Sequence, residues 1–161
     1  MTATPKFETV RYEPKGPICH IVLNRPEKLN AANDQLVEEV NDALFEFDAD
    51  PTLQVAILSG AGRAFCSGAD VRQRQLRTRD ELKRLGGPAG RRSRENGLSE
   101  TVNWKPVIAA VHGWALGLGY SLSQSCDLVV AAELNPGGRL PMALEKRTLQ
   151  ILTQQVMPAF K

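Results

Sequence analysis

The sequence predicts an α/β fold, in which short buried strands alternate with a clearly amphipathic helix. Short apolar runs that are rich in β-branched residues are typical of buried strands, and they recur at Ile18–Leu23, Val55–Leu58, Val107–Val111 and Asp127–Ala132. Between the first two runs, apolar residues at helical spacing predict one buried helix face: Leu36, Val40, Leu44 and Phe47. Alternation of strand and helix patterns along one chain is typical of the α/β class.

The N-terminal part predicts a β-hairpin followed by a capped helix. Phe7–Tyr12 alternates like an edge strand, and the turn residues Pro14–Pro17 separate it from Ile18–Leu23. Either Asn30 or Asn33 can cap the helix, because an asparagine side chain accepts a hydrogen bond from the first helical turn. This helix is expected to run to about Asp48.

Composition is that of one globular domain. The chain has 161 residues, 42% of them hydrophobic and 24% charged, and its net charge of +2 is too small to indicate nucleic-acid binding. Its three cysteines lack C-x-x-C spacing, which argues against a disulfide framework or a zinc site and fits a reducing compartment such as the cytoplasm. The N-terminus lacks the apolar stretch of a signal peptide and no apolar run is long enough to cross a membrane, so we expect no membrane association.

A strongly basic segment directly follows the stretch Ser59–Asp70. Residues 72–94 contain nine lysines and arginines against two acids. Such a charge run is usually a solvated surface. It could also clamp a phosphorylated ligand. The segment has no interleaved aromatic residues, so nucleic acid is the less favoured kind of phosphorylated ligand.

Two glycine-rich loops directly follow predicted buried strands. Ser59–Asp70 follows the run that ends at Leu58, and His112–Gly119 follows Val107–Val111. Each loop could donate one backbone N–H to a single oxygen, which is the minimum for an oxyanion hole. That chemistry suits a carbonyl that becomes an enolate or a tetrahedral oxyanion. The alternative is a pair of tight packing turns, in which glycine only allows close approach.

The second loop does not match a dinucleotide-binding fingerprint. Gly117 and Gly119 follow a strand and precede a predicted helix from Leu118 to Cys126, but the third glycine of G-x-G-x-x-G is replaced by Leu122. No acidic residue follows at the right distance to bind a ribose.

The same helix contains an imperfect nucleophile elbow. Gly119–Ser123 approaches G-x-S-x-G, but Ser123 replaces the last glycine and no histidine follows Ser121 in the chain. A serine hydrolase is therefore the least favoured hypothesis, and Ser121 is interpreted as a small residue on a packed helix. Cys66 is interpreted as a buried, inert cysteine rather than a nucleophile.

Taken together, four stretches resemble the crotonase superfamily of enoyl-CoA hydratases and isomerases. In chain order, they are Leu23–Ala31 (LNRPEKLNA), Ala64–Asp70 (AFCSGAD), Lys105–Gly119 (KPVIAAVHGWALGLG) and Cys126–Leu128 (CDL). The resemblance covers about residues 18–133. It implies a crotonase-like spiral of repeated β-β-α units that is truncated at the C-terminus, with a core over residues 1–133 and a divergent tail over residues 134–161. Within that tail, Met142–Val156 could form one amphipathic helix.

The resemblance also implies a substrate and a site. The substrate would be an acyl-CoA thioester, with the backbone N–H groups of Ala69 and Leu118 forming the oxyanion hole. The residues that would line the CoA are Lys28, Leu29, Ala31, Gly68, Ala69, Asp70, Val71, Arg72, Gly117 and Leu118. We expect no metal and no cofactor, since CoA is part of the substrate, and a homo-oligomer, either a trimer or a hexamer.

The sequence departs from the family pattern at two positions. Ser121 lies where the family's hydratases have their first catalytic glutamate, and the region of the second glutamate reads Arg139–Met142. The resemblance therefore supports two functional hypotheses. One is an acyl-CoA enzyme that stabilises an enolate, or the remnant of one. The other is a non-catalytic or truncated CoA-binding or assembly subunit that keeps the fold without the acid/base pair.

Overall fold

The computed structural model describes residues 6–76, 78–81 and 103–131, and these form a five-stranded sheet with helices and a small second sheet. The strands and helices in chain order are β1 (Val10–Lys15), β2 (Ile18–Leu23), a 3-10 helix (Pro26–Lys28), α1 (Asp34–Ala49), β3 (Val55–Gly60), β4 (Ala64–Cys66), α2 (Val71–Leu76), β5 (Val107–Val111), β6 (Trp114–Ala115), α3 (Leu118–Gln124) and β7 (Leu128–Ala131). The strand order of the large sheet is β1-β2-β3-β5-β7. The predicted α/β class is confirmed.

The N-terminal hairpin forms as predicted, with its first strand three residues later than expected. β1 pairs antiparallel with β2, so that Lys15 lies opposite Ile18. The predicted edge strand at Phe7–Tyr12 is thus shifted to Val10–Lys15, and Lys15 belongs to the strand rather than to the turn. The turn reduces to Gly16 and Pro17, where Gly16 adopts a positive φ of 60°.

Helix α1 packs its apolar face into the core. Asn33 is its N-cap, and the side chain accepts a hydrogen bond from the Leu36 N–H at 2.9 Å. The four residues predicted to be buried are confirmed as buried: Leu36, Val40, Leu44 and Phe47. At the other end, the Lys105 Nζ donates to the carbonyl oxygens of Phe47 and Asp50, at 3.0 and 2.6 Å. A cation at this end complements the helix dipole.

The order of the parallel strands brings the two glycine-rich loops together. β3 pairs in parallel with both β2 and β5, and β5 pairs in parallel with β7. Since β3 and β5 are neighbours that run in the same direction, the segments after them leave the same edge of the sheet. The predicted loops are not irregular throughout, because they contain β4 and β6, which pair with each other in parallel.

The segment from Val107 to Ala131 agrees with the sequence prediction except at the boundaries of its elements. The strand predicted at Val107–Val111 is confirmed, the helix after it ends at Gln124 rather than Cys126, and β7 begins at Leu128. The helix predicted over residues 142–156 and most of the basic segment over residues 72–94 lie outside the described residues. Within the described ranges, no helix is long and apolar enough to cross a membrane.

Gly119 of α3 lies close against Cys66 of β4. A Cβ at this position would clash with the Cys66 carbonyl oxygen and lie 2.7 Å from the Cys66 Cβ. Gly119→Ala is therefore expected to lower the free energy of unfolding by about 2–3 kcal/mol, as overpacking typically does. The control is Gly16→Ala, where no atom lies within 4 Å and only the positive φ opposes the change; that should cost about 1 kcal/mol. Equal urea-unfolding midpoints for the two variants would contradict this packing account.

Candidate functional site

The two glycine-rich loops meet at Gly68 and Gly117. The Leu116 N–H donates to the Cys66 carbonyl oxygen at 3.0 Å, which continues the pairing of β4 with β6. A Cβ added to Gly117 would lie 4.0 Å from the Gly68 Cα, and one added to Gly68 would lie 2.9 Å from the Leu116 carbonyl oxygen. The residues that follow these two glycines, Ala69 and Leu118, are therefore carried by backbones in close approach.

Both glycines have backbone conformations that other residues rarely adopt. Gly68 has a φ of 104°, and Gly117 has a φ of 51° with a ψ of −116°. Residues with a Cβ are strained in these regions. These conformations and contacts support the interpretation of the glycines as tight packing positions, which bring the two loops into close approach.

Hydrogen bonds fix the orientation of the Ala69 N–H. The Ala32 N–H donates to the Gly68 carbonyl oxygen at 2.7 Å, and the Asp70 N–H donates to the Ala32 carbonyl oxygen at 2.8 Å. In a trans peptide, C=O and N–H point in opposite directions. Since the Gly68 C=O points at Ala32, the Ala69 N–H points away from it.

The same argument orients the Leu118 N–H. The Gly117 carbonyl oxygen accepts a hydrogen bond from the Ser121 N–H at 3.0 Å, so this C=O lies along α3. The Leu118 N–H in the same peptide unit therefore points away from the helix. Among the residues that the structure describes, neither the Ala69 N–H nor the Leu118 N–H has a hydrogen-bond acceptor.

The loop from Lys28 to Ala31 packs beside the first glycine-rich loop. The Ser67 N–H donates to the Leu29 carbonyl oxygen at 2.9 Å. Leu29 and Asn30 have φ angles of 51° and 53°, which is unusual for residues with a Cβ. The loop thus runs alongside the segment that leads to Ala69, as expected of two segments that would line one ligand.

The Asn30 side chain connects three backbone segments of the site, a role that the sequence did not predict. Its buried side chain accepts from the Arg25 N–H at 2.9 Å and donates through Nδ2 to the carbonyl oxygens of Ala61 and Ala64, at 2.9 and 2.8 Å. Asn33 is the helix cap, so the choice between the two asparagines is settled. The residue type was the only local signal in the sequence, because asparagine tolerates the left-handed conformation found at Asn30 better than most residues.

An ion pair connects the two loops. Arg25 donates from Nη1 and Nη2 to the Asp70 Oδ2, each at 3.1 Å, and from Nη1 to the Ala31 carbonyl oxygen. The Asp70 Oδ1 also accepts the Arg72 N–H at 3.2 Å, at the start of α2. The side chains of Arg25 and Asp70 are each only 16% exposed. The family resemblance implies that Asp70 lines the CoA, and it implies no role for Arg25.

The environment of Asp70 favours its ionised form. Desolvation raises its pKa, but the hydrogen bond from Arg25, the backbone N–H groups of Gln73 and Arg72, and the positive charge of Arg25 outweigh it and lower the pKa below the ordinary value. Asp70 is thus a carboxylate at neutral pH, and its charge is held in place.

Asp70→Asn is expected to remove an acid-sensitive contribution to stability. A group with a lowered folded-state pKa stabilises the fold above its unfolded pKa of about 3.9, and this contribution is lost as the pH falls through the folded pKa. The difference in unfolding free energy between the wild-type chain and the variant should therefore be constant from about pH 8 to pH 5 and shrink toward pH 3. Urea unfolding across this range measures it, and a difference that does not change with pH would contradict the assigned environment of Asp70.

Ser121 lies on the exposed side of α3 rather than on its packed side. The buried residues of this helix are Gly119, Leu122 and Ser123, so α3 is a packed helix as interpreted from the sequence, and Ser121 is a small residue on its exposed side. Its Oγ donates to the Gly117 carbonyl oxygen at 3.3 Å, which places it one turn from Leu118. The His112 Nε2 lies 3.0 Å from the Gly62 carbonyl oxygen and is hydrogen-bonded to it. Nothing in these contacts activates Ser121 as a nucleophile.

Cys66 is fully buried in β4, and burial raises the pKa of its thiol. A buried cysteine with a raised pKa is mostly protonated at neutral pH and reacts poorly. The interpretation of Cys66 as an inert core residue is therefore supported. Among the described residues there is also no cluster of histidine, cysteine and carboxylate side chains that could hold a metal ion.

The residues at the outer end of the site face solvent. Lys28, Val71, Arg72 and Gly117 are exposed, whereas Ala31, Ala69 and Leu118 are half-buried. The structure thus brings the segments Lys28–Ala31, Gly68–Arg72 and Gly117–Leu118 to one region. Charged side chains lie at its rim and backbone donors further in.

The sequence and the fold of the chain both match those of a known protein family. The Enoyl-CoA hydratase/isomerase family model matches residues 13–136, and the chain belongs to this family. The crotonase fold expected from the sequence is confirmed by solved structures. Enoyl-CoA hydratase subunit I from Geobacillus kaustophilus HTA426 is 34% identical, with a TM-score of 0.70 over 80% of this chain and 48% of that one.

Curated relatives show the same pattern. A probable enoyl-CoA hydratase from Rhizobium meliloti (strain 1021) is 37% identical over 86% of this chain and 51% of the relative. A mevalonyl-coenzyme A hydratase from Aspergillus fumigatus is 37% identical over 74% of this chain and 43% of the relative. The chain spans about half the length of the curated relatives it matches.

Proposed function

We propose that this chain binds acyl-CoA thioesters and holds the thioester carbonyl oxygen between the backbone N–H groups of Ala69 and Leu118. The observation that carries the proposal is the meeting of the two loops at Gly68 and Gly117, where a Cβ added to either glycine would lie 3.9 to 4.0 Å from the Cα of the other. Two N–H groups that converge on one carbonyl oxygen stabilise the negative charge of an enolate. Membership of the Enoyl-CoA hydratase/isomerase family supports acyl-CoA as the substrate class.

The CoA moiety would lie along the segments Lys28–Ala31 and Gly68–Arg72. Their backbones run side by side through the hydrogen bonds at Leu29 and Ala32. Arg72 is exposed at the rim, where its guanidinium can pair with a phosphate. No cofactor is proposed beyond the CoA of the substrate itself.

One observation favours the second hypothesis, a CoA-binding or assembly subunit without catalysis. Ser121 occupies the position where the family's hydratases have a glutamate, and its hydroxyl has no basic partner in the structure described above. A neutral hydroxyl is a poor general base near pH 7. Binding without efficient hydration is therefore the behaviour that this site supports best. Cytoplasmic location and a trimeric or hexameric state remain predictions.

Calorimetric titration with two ligands tests the binding proposal. Crotonyl-CoA has the carbonyl, whereas butyl-CoA, a thioether of similar size, has none. Crotonyl-CoA is expected to bind about tenfold more tightly, since two hydrogen bonds contribute roughly 1–2 kcal/mol net. Equal affinity for both ligands would exclude a carbonyl site, and no binding of either would exclude CoA thioesters as ligands.

A further inference from the structure

Arg25 is the side chain that joins the two segments proposed to line the ligand. Its Nη1 donates to the Ala31 carbonyl oxygen and to the Asp70 Oδ2, and its Nη2 donates to the same carboxylate oxygen. Asp70 lies 45 residues further along the chain and directly follows Ala69. One guanidinium therefore spans from the Lys28–Ala31 loop to the residue next to an oxyanion donor.

Asp70 is itself held on both sides of its backbone, next to the peptide that carries the Ala69 N–H. Its own N–H donates to the Ala32 carbonyl oxygen at 2.8 Å, and its Oδ1 accepts the Arg72 N–H at 3.2 Å. On the other side, the Gly68 carbonyl oxygen is held by the Ala32 N–H. Gly68 is conformationally permissive, so the backbone before Ala69 relies on these contacts for its orientation.

We propose that Arg25 is a positioning residue for the oxyanion hole, which it serves by keeping the Ala69 N–H aimed at the substrate carbonyl. The inference rests on the proposed function of Ala69. Arg25 acts in this proposal through its contacts with Asp70 and Ala31 and not through contact with the substrate. Its effect comes from geometry, because misplacement of a catalytic group by about 1 Å can cost a hundredfold in rate.

The nature of the contacts explains why arginine is needed here. A guanidinium presents several N–H donors in a fixed plane, so it can bind a carboxylate and a carbonyl oxygen together. Lysine has one compact charge and does not reproduce this fixed geometry. Glutamine is neutral and would leave the Asp70 carboxylate without its cation in a half-buried position.

The test measures polarisation of the bound carbonyl by isotope-edited infrared spectroscopy. Crotonyl-CoA labelled with carbon-13 at the carbonyl is bound to the wild-type chain, and the C=O stretching frequency is compared with that in buffer. Donation from the two N–H groups should lower the frequency. Arg25→Gln is expected to abolish at least half of this lowering and to weaken crotonyl-CoA binding about tenfold. Arg25→Lys should give an intermediate frequency.

A matched control separates positioning from loss of stability. Lys105 also donates to two carbonyl oxygens, but these belong to the end of α1 and not to the site. Lys105→Gln is expected to lower the urea midpoint while leaving the carbonyl frequency of bound crotonyl-CoA unchanged. A frequency that moves as much in this variant as in Arg25→Gln would assign the effect to stability and overturn the proposal.

The remaining outcomes separate the proposed oxyanion hole from the proposed role of Arg25. If the wild-type chain binds crotonyl-CoA without a change in carbonyl frequency, the proposed oxyanion hole is wrong. If the wild-type chain lowers the frequency and folded Arg25→Gln lowers it equally, the role of Arg25 is wrong while the oxyanion hole stands. Should Arg25→Gln not fold, Arg25→Lys and Asp70→Asn decide, and unchanged frequencies in both would overturn the role of Arg25.

Discussion

Ser121→Glu is expected to raise the rate of crotonyl-CoA hydration by about 10²–10⁴-fold, the usual contribution of one general acid–base group. Ser121 is exposed on α3 and bonds to the Gly117 carbonyl oxygen, so a carboxylate placed there lies beside the Leu118 donor without being buried in the core. The wild-type chain should turn over well below the roughly 10 s⁻¹ of ordinary metabolic enzymes. Loss of absorbance of the conjugated thioester measures both rates.

The matched control for this change is Ser121→Gln. Glutamine has nearly the size of glutamate but no basicity, so it should leave the rate at the wild-type level. Wild-type turnover near 10 s⁻¹ would show that another group supplies the base. Equal rates for the glutamate and glutamine variants would show that position 121 does not face the substrate.

Ala69→Pro is expected to remove one of the two oxyanion donors outright, because proline has no backbone N–H. The Ala69 N–H makes no hydrogen bond within the described part of the chain, so no internal contact is lost with it. Combined with Ser121→Glu, the change should lower the hydration rate about 10²–10³-fold, the cost of one oxyanion-hole donor. In the wild-type background it should also reduce the preference for crotonyl-CoA over butyl-CoA.

Ala69→Gly is the control, since glycine keeps the N–H. It should retain most of the ligand preference and of the rate, which separates loss of the donor from a change of side chain. A folded Ala69→Pro protein with the wild-type ligand preference would contradict the oxyanion model. Proline at Gly119 is not a clean equivalent, because the Gly119 N–H bonds to the Leu116 carbonyl oxygen and any Cβ there clashes with Cys66.

The elements that the sequence predicted well are those with a strong local pattern. The apolar runs at Ile18–Leu23 and Val107–Val111 are strands with the predicted boundaries. The spacing of Leu36 and Phe47 defines the buried face of α1. In these segments the hydrophobic period and the burial required by the fold agree, so local reasoning is sufficient.

The strands that were missed lack such a pattern. β4 has three residues and β6 has two, and each is formed only because the parallel neighbours β3 and β5 bring the two loops together. A single short strand has no periodicity to detect. Its pairing depends on contacts between segments about fifty residues apart in the chain.

The sequence predicted the close approach of the two glycine-rich loops in the candidate site. It did not predict the side-chain contacts between distant segments. Glycines after buried strands indicated backbone donors, and the structure places Gly68 against Gly117. By contrast, the bonds from Asn30 to Ala61 and Ala64 and the pairing of Arg25 with Asp70 join segments that are 31 to 45 residues apart. No local spacing in the sequence reports such contacts.

The most direct test of the central claim observes the two proposed donors themselves. Amide proton shifts of Ala69 and Leu118 are recorded by heteronuclear NMR during titration with crotonyl-CoA and, separately, with butyl-CoA. Donation to a carbonyl oxygen moves an amide proton downfield, so both signals should move downfield with the thioester and not with the thioether. Equal shifts with the two ligands, or signals that do not move although crotonyl-CoA binds, would contradict the account.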